Sequence, residues 1–128
     1  MHFLKKIVLY FILFSGFHGS IFANEGIKVL MLHSWSPDHK WVKGESSGIK
    51  DALKKIHSKI EFRTEYMDYP RIQGVDKEKY SAAYHSFFDN KYRDQRVKFD
   101  IIFVTDDPAL EYMLKYHDVY FPNIPVVF

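Results

Sequence analysis

The sequence predicts an α/β protein, a Rossmann-like open parallel sheet with helices on both faces. Three observations predict it. Short apolar runs, continuous rather than alternating, recur at 28–33, 99–104 and 124–128, and strands covered on both faces require that pattern. Longer segments with apolar residues at helical spacing stand between them. The two kinds of segment alternate, which is the order that right-handed βαβ crossovers build.

The elements follow in order. Residues 1–23 read apart from the rest: Lys5 and Lys6 precede an apolar run from Ile7 to Phe17, and Gly19-Ser20-Ile21-Phe22-Ala23 leads into polar Asn24-Glu25-Gly26. A basic start, a short apolar stretch and a small residue at the cut make a secretory signal peptide. The stretch is shorter than the roughly 20 residues that a membrane-spanning helix needs. An uncleaved anchor is the alternative, because Ile21 and Phe22 make a middling cleavage site. With either, the remainder leaves the cytoplasm, and no cysteine is present to carry a lipid.

The first strand is expected at Lys28–His33. A helix follows from Trp41 to Ile56, with Val42, Ile49, Ala52, Leu53 and Ile56 facing inward. Ile60–Tyr66 alternates apolar and polar, which suits a half-exposed strand near the sheet edge. From Asp76 to Tyr92, the residues Tyr80, Ala83, Tyr84, Phe87 and Phe88 make an amphipathic stripe that reads as core. Phe99–Val104 is the third strand. Asp107-Pro108 then reads as N-cap and first-turn proline of a helix that runs through Leu110, Met113 and Leu114 and stops at Phe121-Pro122. Ile124–Phe128 begins a fourth strand.

Composition narrows the function. Forty-seven per cent hydrophobic residues, with twelve Phe and nine Tyr, supply a packed core, unlike a disordered tail. The length fits one domain. Residues 1–23 carry two lysines and no acid, so the rest of the chain holds as many basic residues as its 16 acidic ones. Nothing there argues for nucleic acid as partner. Without cysteine there is no disulfide framework, so stability outside the cell must come from packing. The chain stops on the buried-strand sequence Val126-Val127-Phe128, which would leave an open sheet edge. We therefore expect a piece of a longer protein, with residues 24–128 as part of an N-terminal lobe; a complete short product is the alternative.

In open α/β sheets, ligands bind beyond the carboxyl ends of the strands, where helix N-termini also point. Those ends carry His33, Ser34, Trp35 and Ser36, then Asp68 and Tyr69, then Thr105, Asp106 and Asp107. His33, Ser34, Trp35, Asp106 and Asp107 are the candidate ligand-binding residues. Plainer roles are open at several of these positions: a cap for Asp107, a turn for Ser34 and Ser36, and core packing for the nearby Trp41. No GxSxG elbow, phosphate loop, GxGxxG turn or HExxH pair occurs. No His or Asp pair has a dedicated metal spacing. Catalytic constellations are weak, and no catalytic residue, metal ligand set or cofactor is expected.

The runs 29–37, Trp41 with 48–53, 65–68, 99–110 and 121–128, in that order, resemble the ABC-transporter-substrate-binding-like sensor domains. These stand at the N-termini of bacterial membrane histidine kinases and diguanylate cyclases. The resemblance spans nearly all of residues 24–128, though no single motif is diagnostic. It implies a type I periplasmic-binding-protein fold, two Rossmann-like lobes hinged around a cleft, of which this sequence holds an incomplete first lobe. It also implies a small-molecule solute as ligand, a missing second lobe and a membrane-bound output module as partners, and a periplasmic or extracytoplasmic location. Kinase or cyclase activity does not carry over to these residues, so the segment is expected not to be an enzyme. A soluble substrate-binding component of an ABC importer, working with its permease, is the alternative. An exported α/β enzyme using His33 or Asp106 is a third.

Overall fold

The computed structural model describes residues 26–71, 73–94 and 98–128. The expected signal segment lies outside them. Four strands and three helices alternate: β1 (Ile27–His33), α1 (Lys40–Ile56), β2 (Ile60–Tyr66), α2 (Lys77–Tyr92), β3 (Ile101–Thr105), α3 (Asp107–Tyr120) and β4 (Val126–Val127). The strands form one parallel sheet in the order β2-β1-β3-β4. The protein is therefore α/β with a Rossmann-like open sheet, as the alternation predicts.

Topology explains which helix covers which face. The chain steps from β1 to one side for β2, then back past β1 to β3 and onward to β4. Right-handed crossovers then put α1 on one face and α2 and α3 on the other. Side-chain alternation agrees. Leu30 and Leu32 of β1 and Ile102 and Val104 of β3 join Tyr84, Phe88 and Tyr92 of α2 and Ala109, Tyr112, Met113 and Tyr120 of α3 in one core. Val29, Met31 and His33 point the opposite way, in register with Ile101, Phe103 and Thr105. They face α1, whose Val42 and Ser46 are buried. β1 lies between two neighbours and is the most deeply buried strand, with residues 29–33 all at 0% exposure.

The inward faces of the helices differ from the expected stripes. In α2, Tyr84, Phe88 and Tyr92 are buried, whereas Ala83 is exposed and Phe87 is 55% exposed. In α3, Tyr112 and Tyr120 take the core positions and Leu114 is 75% exposed. In α1, Ser46 is buried while Ala52 and Ile56 face out. For α2 and α3 the reason is an aromatic cluster. Phe88 meets Tyr112, Tyr120 and Tyr92 at centroid distances of 5.3, 5.3 and 4.5 Å. Tyrosine can fill this layer because its hydroxyl reaches polar atoms at the edge: Tyr120 Oη donates to Asp89 at 2.7 Å.

Strand limits shift for local reasons. β3 begins two residues late because Asp100 turns its carboxylate to accept the Lys28 N–H at 2.7 Å, while its own N–H donates to the Lys28 carbonyl. β4 is only two residues long, preceded by Pro125, which has no N–H to give. β2 is an edge strand, as its alternation suggests. Its one buried acid, Glu65, accepts from Lys91 Nζ and Tyr92 Oη, both at 2.6 Å, and so fastens β2 to α2. No helix among the described residues is long and apolar enough to cross a membrane.

Candidate functional site

The strand order reverses between β1 and β3, so the loops leaving their carboxyl ends diverge to opposite faces and open a crevice. Ser34, the first residue after β1, holds that crevice together. Its N–H and hydroxyl both donate to the Thr105 carbonyl, at 3.3 and 2.7 Å. Its Oγ accepts the Ala109 N–H at 2.9 Å, which satisfies an otherwise unpaired donor in the first turn of α3. Its carbonyl accepts the Tyr69 N–H at 2.8 Å. One buried serine thus ties together the ends of three strands.

The cap of α3 corrects the sequence reading. Asp107 is the first helical residue rather than the N-cap, and Asp106 occupies the cap position without a side-chain cap bond. Ser34 does that work from another strand. Asp106 has φ 65° and ψ 162°, a region that is essentially glycine-only and costs on the order of 1–3 kcal/mol for other residues. Its Oδ2 is buried with no hydrogen-bond partner.

His33 lies just behind. Nδ1 shares a 2.9 Å hydrogen bond with Thr105 Oγ1, the ring stacks on Tyr66 at 5.4 Å, and Nε2 is buried without a partner. Burial, reinforced by the nearby Lys50 ammonium, lowers its pKa to about 4. The ring is therefore neutral at neutral pH.

The loop after β2 forms the other wall. Tyr80 of α2 donates to the carbonyls of Met67 and Asp68, at 2.5 and 2.9 Å, and pins the loop in place. Asp68 there adopts φ 47°, a left-handed conformation that Asp tolerates better than most residues. Beyond it, the Arg71 guanidinium carbon lies 3.8 Å from the centre of the Trp35 ring, and Tyr69 meets Trp35 edge-on at 6.5 Å. Lys77 Nζ lies 5.7 Å from the centre of the Tyr69 ring.

Trp35, Tyr69, Arg71 and Lys77 line a cleft of about 500 Å³ together with Pro70, Asp106, Asp107 and Pro108. Of the five candidates, Trp35, Asp106 and Asp107 border it. His33 and Ser34 are fully buried and support it from behind. Sequence reasoning placed Tyr69 at a strand end but missed Arg71 and Lys77, whose only sequence signal is that they flank the turn between β2 and α2. The arrangement can bind: it offers a stacked guanidinium, an ammonium, aromatic surface and an unpartnered carboxylate oxygen.

No family model, curated protein or solved structure matches this chain.

Proposed function

We propose that the chain is the first lobe of an extracytoplasmic solute-sensing domain, whose cleft at the ends of β1, β2 and β3 holds a small molecule. The observation that carries this reading is the convergence of Trp35, Tyr69, Arg71 and Asp106 on one crevice at the point where the strand order reverses. Such a crevice is where open α/β sheets bind ligands. In the sensing mechanism, a second lobe closes over the rim. Polar groups of both halves are satisfied together only when a solute bridges them, so binding shifts an open–closed equilibrium that a membrane-bound module reads.

A melting screen of the full-length protein, with both lobes present, against a library of small solutes tests the binding step. A solute that binds only the folded state raises the melting temperature by mass action. The reading requires at least one such solute, recovered chemically unchanged, whose effect disappears in Trp35→Ala. A screen without a stabilising solute contradicts it, as does a hit indifferent to Trp35, and turnover of the solute would favour an enzyme. Location is tested separately by fusing residues 1–23 to a reporter that is active only after export. An inactive reporter removes the extracytoplasmic assignment.

A further inference from the structure

The charges around the cleft point to the chemical class of the solute, an inference that rests on the solute-binding reading above. Arg71 and Lys77 make no ion pair among the described residues; each lies instead over an aromatic ring. A guanidinium stacked on an indole keeps its in-plane N–H donors available to fork onto a planar carboxylate. Arg71 Nη1 lies 3.2 Å from His39 Nε2, which fixes the direction of the fork. Asp106 also borders the cleft, and its carboxylate accepts no hydrogen bond among the described residues. A carboxylate without a donor of its own favours a ligand that supplies one. Asp107 adds a second acid to the lining. Two cations and two acids leave the cleft neutral, which suits a single carboxylate that brings its own donor better than a dianion.

We propose that the cleft takes a small organic carboxylate bearing a hydroxyl or ammonium group beside the carboxylate. Arg71 clamps the carboxylate through paired N–H bonds, Lys77 adds the second positive charge, and the Asp106 carboxylate accepts from the neighbouring donor.

The test is an NMR titration of the full ¹⁵N-labelled chain with mandelate, phenylglycine, phenylacetate, mandelamide and inorganic phosphate. The Trp35 indole N–H and the Arg71 Nε–H report on the cleft. The indole of Trp41, which is 63% exposed on α1, serves as the control. Mandelate or phenylglycine should move the cleft signals saturably, and which of the two binds more tightly tells the hydroxyl from the ammonium. Phenylacetate should bind about tenfold more weakly, the effect of one hydrogen bond to a charged group. Mandelamide and phosphate should leave the signals in place. Arg71→Gln should weaken mandelate by at least about tenfold, with Arg71→Lys in between. Asp106→Ala should erase the difference between mandelate and phenylacetate.

Tight binding of mandelamide or phosphate, unchanged affinity in Arg71→Gln, or no saturable response to any carboxylate overturns the proposal. A neutral solute that saturates the Trp35 signal would remove the carboxylate class and leave the solute-binding reading intact. Silence of that signal toward every solute in the melting screen would remove the reading itself.

Discussion

At the scale of single residues, the rim combines burial and strain in ways that solution measurements can read. His33 is held neutral with its pKa lowered to about 4, first by burial and then by Lys50. The unfolded chain binds this proton near pH 6.5, so the folded state is fully favoured above that pH and loses stability as pH falls from 6.5 toward 4. The loss amounts to about 3 kcal/mol. His33→Gln lacks the proton site, and its stability measured by denaturant should fall less steeply across that window. A parallel fall in both proteins would assign the acid sensitivity to carboxylates instead. Asp106 makes the opposite kind of prediction. Glycine adopts φ 65°, ψ 162° without strain, and the relief of about 1–3 kcal/mol exceeds the added chain entropy of about 0.5–1 kcal/mol. Asp106→Gly should therefore melt a few degrees higher while losing its cleft ligand. A lower melting temperature would mean that the aspartate side chain holds the loop.

At the scale of elements, each helix is placed by contacts that its own sequence does not announce. α3 starts well because a serine 75 positions earlier accepts the Ala109 N–H. Ser34→Ala should cost about 1–2 kcal/mol, as loss of an N-cap does, measured as a fall in the denaturation midpoint at unchanged slope. An unchanged midpoint would show that another group can take over the cap. α2 is fastened at its carboxyl end through Lys91 and Tyr92 to Glu65 on the neighbouring edge strand. These cross-chain bonds explain what was and was not legible. Strand positions could be read because continuous apolar runs have few alternatives, and β2 matched residue for residue at 60–66. Helix faces were harder to read. Aromatic residues occur around much of α2, so Phe87 and Phe88 look alike in sequence, yet one is 55% exposed and the other fully buried. Ser46 lies one turn after buried Val42 and is itself buried, which polarity alone argues against.

At the scale of the whole molecule, the order β2-β1-β3-β4 turns local patterns into a site. The sheet brings residues 34–35, 67–71 and 105–108 to one rim. The sequence could name strand ends, and hence Trp35, Asp106 and Asp107. It could not show that Arg71 would lie across Trp35, because that contact depends on the Tyr80 and Ser34 hydrogen bonds that shape the loop. Hydrogen exchange on the full chain, with and without the most stabilising solute from the melting screen, tests this rim most directly. The amides of 34–36, 67–71 and 105–109 should gain protection together, and those of 57–60 and 121–125 should not change. Protection confined to the amino-end loops, or to the exposed surface around Val127, would place ligand recognition elsewhere and contradict the account.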